Sequence, residues 1–127
     1  CEGLTGNLVI PDSVTSIGTN AFYYCSNLRG SLTLGSNLET IGNWAFKDCS
    51  DIISVEIPDS VTTIGNGAFR YCSSLTSVTM GNSVTSIGSS AFSGCSKLES
   101  ITIPNGITTL NSYTFSGCSM LKNIKKS

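Results

Sequence analysis

Apolar residues recur along this chain on a fixed step, and that step decides the reading. Phenylalanine occurs only at Phe22, Phe46, Phe69, Phe92 and Phe115, at intervals of 24, 23, 23 and 23 residues. Two aliphatic columns keep the same register: Val14, Leu38, Val61, Val84 and Ile107, then Ile17, Ile41, Ile64, Ile87 and Leu110. Gly18, Gly42, Gly65 and Gly88 follow the second column, with Asn111 in the last place. Ala21, Ala45, Ala68 and Ala91 precede the phenylalanines, with Thr114 in the last place. Cys1, Cys25, Cys49, Cys72, Cys95 and Cys118 keep the same step. Self-similarity at this period is the mark of stacked-repeat architecture.

One unit reads L-x-x-[IV]-x-[ILM]-[PG]-x-x-[VLI]-x-x-[IL]-G-x-x-A-F-x-x-C-S. Over Leu75 to Met80, Val78 and Met80 fall on one face and Thr79 on the other, the period-two signature of a strand. Pro58 or Gly81, followed by Asp or Asn, marks the turn that ends this strand. A second short extended piece is expected to carry Val84 and Ile87. The A-F-x-x-C stretch should then turn the chain back, as a tight helical turn.

A single coil cannot bury its own apolar face, so stability must come from stacking neighbours. The expected fold is a β-strand-rich repeat solenoid, a right-handed curved array of about five stacked coils. At ~4.8 Å between paired strands, five coils span roughly 25 Å. Residues 1–127 form one domain, with repeats near 4–27, 28–51, 52–74, 75–97 and 98–120 and a partial repeat at 121–127. Between Leu28 and Leu32, Arg29, Gly30 and Ser31 replace the usual two residues, as in the stretch from Leu4 to Leu8. This insertion predicts a bulge before the strand. The chain opens at Cys1, without Met and in mid-repeat, as a fragment would.

The string I-P-D-S-V-T-x-I-G-x-x-A-F-x-x-C-S-x-L, read from Ile57 to Leu75, resembles the BspA-like class of leucine-rich repeats. The resemblance covers essentially the whole chain and implies a leucine-rich-repeat-like solenoid. It also implies an extracellular or cell-surface setting, since that class occurs in bacterial and protist surface proteins, many linked to adhesion, host-matrix binding or aggregation between cells. Such repeats also stand beside unrelated domains, so they identify a scaffold better than a task.

Composition narrows the choices further. Net charge is -1 and charged residues make up 12%, against ~25% in an average soluble domain. Nothing electrostatic recommends a nucleic acid as partner. No segment is both basic and amphipathic, and no apolar run is long enough for direct membrane insertion. Ser and Thr number 36, so small hydroxyls rather than charges are expected to solvate the surface.

Chemistry finds little to work with. There is no histidine, which rules out Ser-His and Cys-His catalysis within these residues. The carboxylates Asp48, Asp51, Glu56 and Asp59 fall at variable positions suited to solvent. Each cysteine is one coil from the next, so no ligand set converges on a metal. A disulfide between neighbouring coils is conceivable on distance, but parallel side chains are poorly aimed for closure. Buried thiols acting as small apolar residues are the expectation, with Cys1 and Cys118 the most exposed. No cofactor, metal site or catalytic role is expected.

Function on a solenoid belongs to the positions the repeat leaves free. On the presumed sheet face these are Val9, Thr33, Glu56, Thr79 and Thr102, flanked by Ser31, Ser54, Ser77 and Ser100; Thr33, Glu56, Thr79 and Thr102 are the candidate contacts. The other free positions flank the Ala-Phe pair, where Tyr23, Tyr24, Trp44, Tyr71 and Tyr113 appear with Lys47, Asp48 and Arg70. Tyr24, Trp44 and Tyr71 come from three consecutive coils and, with Tyr23 and Arg70, form a candidate binding patch. Later coils carry Ser89, Ser90, Ser93 and Gly94 there instead.

The leading expectation is a non-catalytic protein-binding or adhesion module of a cell-surface or secreted protein. Its partner would be a host-matrix or cell-surface protein. One alternative is a structural role in which the chain binds itself, repeats stacking end to end. Another is a targeting or spacer arm of a larger enzyme. Asn111 and Thr114, where the repeat is broken, read as a coil degenerating toward a cap.

Overall fold

Alternation over Ser77–Met80 becomes a strand because Val78 and Met80 are buried while Ser77 and Thr79 face solvent. The same logic repeats in each coil of a computed structural model that describes residues 6–108, 110, 111 and 113–126. Cys1 and Leu4 lie outside them. In chain order the strands are β1 (Ser16–Ile17), β2 (Gly30–Thr33), β3 (Thr40–Ile41), β4 (Ile52–Ile57) and β5 (Thr63–Ile64). They continue with β6 (Ser77–Met80), β7 (Ser86–Ile87), β8 (Ser100–Ile103) and β9 (Asn123–Lys126). No helix occurs among the described residues, hence none that could cross a membrane.

Two parallel sheets run the length of the stack. The larger has the order β2-β4-β6-β8-β9 and the smaller β1-β3-β5-β7, so alternate strands of the chain build opposite walls. Register equals the repeat: Val55 lies beside Val78, and Ile57 beside Met80. The extra residue near Leu28 is absorbed as a register shift between Gly30 and Ser31, the bulge the sequence calls for. The chain is thus a parallel β-solenoid of about five coils.

Between the walls the repeated side chains form columns. Phe46, Phe69 and Phe92 are fully buried, and the five phenyl rings stack with centroids 5.3, 5.3, 5.4 and 6.0 Å apart and nearly parallel planes. Offset stacks of this kind add to the area the rings bury. The second extended piece is shorter than its pattern suggests. Val84 lies between the Asn82–Ser83 turn and the strand, and only Ser86 and Ile87 pair, with Thr63 and Ile64 of the preceding coil. Glycine must follow because backbones converge there: a Cβ on Gly42 would lie 2.7 Å from the carbonyl carbon of Gly18.

The Ala-Phe stretch is not helical. Ala45, Lys47 and Cys49 donate backbone bonds three residues back, to Gly42, Trp44 and Phe46. The residues between them donate forward instead: Trp44, Phe46 and Asp48 reach the carbonyls of Asn66, Ala68 and Arg70 one coil on, each at 2.8 Å. The same three positions in the next coil, Gly67, Phe69 and Tyr71, reach Ser89, Ala91 and Ser93. These three amides of each turn therefore point toward the C-terminal neighbour, whereas the Asn66 and Ser89 amides at the start of the turn donate backward, to the Asn43 and Asn66 side chains. In place of a tight helical turn the stretch forms successive turns whose alternate bonds go between coils, because a continuous helix would leave the neighbouring carbonyls unpaired.

The cysteine column is mostly as expected. Cys49, Cys72, Cys95 and Cys118 are free, the first three buried. Each thiol donates to the phenylalanine carbonyl one coil back, as Cys72 does to Phe46 at 3.2 Å and Cys95 to Phe69 at 3.2 Å. Cys25 departs from the pattern and is disulfide-bonded. Burial pushes the Cys49 thiol up to about 11 and lifts Cys72 and Cys95 as well, which makes all three poor nucleophiles.

Candidate recognition surface on the turn edge

The turn edge holds backbone with φ near +60° at two places in each of the first four coils, and at the second of them in the fifth. One lies two residues before the Phe, at Asn20 (φ 60°), Trp44 (54°), Gly67 (60°) and Ser90 (61°). The other lies two residues after it, at Tyr24 (58°), Asp48 (63°), Tyr71 (61°), Gly94 (74°) and Gly117 (77°). Glycine enters this region without penalty, whereas other L-residues lose roughly 1–2 kcal/mol. In the first three coils these positions hold Asn20, Tyr24, Trp44, Asp48, Gly67 and Tyr71, so three of the six carry a bulky aromatic ring where glycine serves the same geometry. The backbone does not ask for those side chains.

Around them the structure assembles a compact cluster. The Lys47 ammonium stands 5.0 Å from the centre of the Tyr23 ring and 5.7 Å from that of Tyr71, so it bridges two aromatic rings two coils apart. It also pairs with Asp48 at 3.2 Å. The Arg70 guanidinium lies 4.8 Å from the Tyr71 ring centre and donates from Nη2 to the Tyr71 hydroxyl at 3.1 Å. Tyr24 meets Tyr23 edge to face at 6.2 Å and is 66% exposed. Cation–π contacts at such half-exposed sites hold their partners by about 0.5–1 kcal/mol each.

Of the five residues the sequence singles out for a patch, Tyr23, Tyr24, Arg70 and Tyr71 are gathered here. Trp44 is not. It stands on the other flank of the Phe column, with its indole laid over Gly67 where a Cβ would need to be, and no ring contact joins it to the tyrosines among the described residues. Tyr71 lies over Gly94 in the same manner. Both rings thus cover a glycine of the next coil, and Trp44 is still 40% exposed and Tyr71 43%. Lys47, which the candidate patch omits, is the centre of the cluster. The signal was present: Tyr23, Lys47 and Arg70 share the place after the Phe in consecutive coils.

The sheet face offers less. Thr33, Glu56, Thr79 and Thr102 are exposed and in register on the larger sheet, with Ser31 and Ser54 hydroxyls 3.0 Å apart beside them. A shallow hollow of about 340 Å³ lies over Ser31, Thr33, Ser54, Glu56 and Pro58. It contains a single carboxylate and no aromatic side chain. No group of three or more His, Cys, Asp or Glu able to hold a metal occurs among the described residues.

Taken together, two parallel walls, a stacked apolar interior and side chains of free choice on the edge define a leucine-rich-repeat solenoid. The chain belongs to the BspA type leucine-rich repeat family, whose repeat region matches residues 1–125 in six copies. It is similar to the leucine rich repeat protein TpLRR of T. pallidum, at 30% identity and a TM-score of 0.88 over 93% of this chain and 57% of that one. A leucine rich cell surface protein from Faecalibacterium prausnitzii is 34% identical, with a TM-score of 0.90 over 95% of this chain and 32% of its own. The pneumococcal vaccine antigen PcpA is 31% identical, with a TM-score of 0.86 over 95% of this chain and 30% of its own. The chain therefore spans little more than half of one relative and about a third of the others. No protein of curated function matches it.

Proposed function

We propose that the chain is a non-catalytic, protein-binding module of a cell-surface or secreted protein, used in adhesion, and that the turn edge of its first three coils makes the contact. One observation carries the reading. Tyr24, Asp48 and Tyr71 occupy left-handed positions that Gly94 and Gly117 fill in later coils, at a conformational cost the fold does not require. Side chains retained against such a cost are retained for what they touch. Tyr and Arg are also the residue types that dominate protein contacts. The surface setting is supported by the relatives, one described as a cell surface protein and another as a vaccine antigen.

The test is adhesion of protein-coated beads to surfaces bearing fibrous host-matrix proteins. Wild type is compared with a variant carrying Tyr24→Gly and Tyr71→Gly. The expected result is retention of wild-type beads and a loss of about tenfold or more in the variant, the scale of a hot-spot pair. Equal retention of both, or none of either, would sink the proposal.

A further inference from the structure

We infer that the turn edge of the first three coils is built to dock an acidic segment of a partner protein. This rests on the binding-module reading above and names its partner's chemistry. Lys47 and Arg70 hold the same column in consecutive coils, each one residue past its phenylalanine. Coils in register bring them to roughly 4.8 Å along the stack, and like charges directly opposite one another are unfavourable. A single carboxylate, Asp48, answers both cations, and it is spent on Lys47 at 3.2 Å. Among the described residues Arg70 pairs with no carboxylate. Its guanidinium rests on the Tyr71 ring and bonds a neutral hydroxyl, while its Nε is buried and unpartnered. The edge therefore holds one positive charge more than it neutralises, fixed in place by aromatic rings.

The same geometry separates an acidic polypeptide from an acidic sugar. A sugar ring stacks on a free aromatic face, and here most faces are taken. Tyr23 is covered by Lys47, and Tyr71 by Arg70, Lys47 and the backbone at Gly94. Tyr24, with 66% of its surface in solvent and no cation over its ring among the described residues, is the most open ring of the cluster. One aromatic anchor beside two cations suits an apolar side chain followed by carboxylates. Bidentate pairing of a carboxylate with Arg70 would add directional strength.

Selection of a random-peptide phage library on the intact chain tests this. Recovered peptides are then synthesised and their affinities measured by fluorescence polarisation. Expected are peptides with at least two Asp or Glu beside an apolar residue, binding more weakly as salt is raised. A double variant, Lys47→Ser with Arg70→Ser, copies the serines of the later coils at Ser93 and Ser116. It should stay folded, with a melting temperature lower by no more than the several degrees its cation–π contacts are worth, and lose affinity by about tenfold or more. Peptides without acidic enrichment, or undiminished by the double variant, overturn the inference. If such peptides are lost instead on Thr33→Lys with Thr79→Lys, the binding-module reading stands and only this assignment falls. Recovery of no peptide removes both. A glycan array in which the wild type binds sulfated or sialylated sugars and the double variant does not would transfer the edge to an acidic glycan and overturn the peptide assignment.

Discussion

The turn edge of the first three coils and that of the last two are one structure carrying two surfaces. Both run the same inter-coil bonds, Phe69 to Ala91 at 2.8 Å and Phe92 to Thr114 at 3.0 Å, and both need positive φ two residues past the phenylalanine. In the first half that position holds Tyr24, Asp48 and Tyr71; in the second it holds Gly94 and Gly117. The place after the phenylalanine changes in step, from Tyr23, Lys47 and Arg70 to Ser93 and Ser116. The bare half shows what stacking requires, and subtracting it from the decorated half leaves what stacking does not explain. At the two places after the phenylalanine, the remainder is three tyrosines, two cations and one carboxylate.

If that subtraction is sound, the interiors of the halves must behave alike. Phe69→Ala and Phe92→Ala each remove a fully buried ring from the middle of the stack. Each should cost about 3–5 kcal/mol, read by urea denaturation. Similar values would confirm that the two halves differ only at their surface. A much smaller loss at Phe92 would show that the bare half is loosely packed and unfit as a reference.

Gly94→Ala comes next in size, because two separate penalties meet there. Gly94 has φ of +74°, and an added Cβ would run into the Tyr71 ring. The change should cost about 2–3 kcal/mol in the wild type but about 1 in a Tyr71→Gly background, where only the backbone penalty remains. Gly117→Ala is the control. Its φ is +77°, but the nearest atom to a new Cβ is backbone of Gly94 at 3.3 Å, so about 1 kcal/mol is expected with or without Tyr71. Additivity between Gly94 and Tyr71 would mean that the ring does not lie on the glycine.

These pairs also show how far the sequence could be read. Core columns, both sheets and the bulge follow from a step of 23 because stacking forces equivalent residues into contact. The edge was legible in identity but not in conformation. Tyr, Trp and Asp do not advertise positive φ, and only Gly67, Gly94 and Gly117 in the same columns betray it. The helical turn expected for A-F-x-x-C failed because local periodicity cannot reveal that its amides are claimed by the next coil. Lys47 stands among the free positions of the sequence but outside its candidate patch for a related reason. Its significance lies in rings of Tyr23 and Tyr71, one coil away on either side, and no single repeat contains that arrangement.

Alkaline titration makes a smaller demand on the comparison, per site. An unfolded thiol ionises near 9, whereas burial holds Cys49 in the protonated form up to about 11. Between those values the folded chain binds the proton that the unfolded chain has released, so stability is level below pH 9 and falls above it. The slope is about 1.4 kcal/mol per pH unit for each such thiol. Cys95 in the bare half is lifted by the same desolvation. Cys49→Ala and Cys95→Ala should therefore flatten the alkaline slope equally over this window. A difference between them would reveal water reaching the column from one side only.

The smallest effect carries the most weight. Tyr24→Gly removes a left-handed tyrosine, worth roughly 1–2 kcal/mol in relief, while the lost edge contact with Tyr23 and the conformational freedom of glycine in the unfolded chain each take back roughly 0.5. Tyr24 covers no glycine, since Asp48 holds its place in the next coil, and 66% of it is open to solvent. The net change in stability should be under about 1 kcal/mol and on the favourable side, read as a rise of a few degrees in melting temperature. A loss of stability would make the ring part of the scaffold and erase the contrast between the two halves. A gain accompanied by weaker adhesion would mean that this chain keeps a less stable edge in order to bind with it.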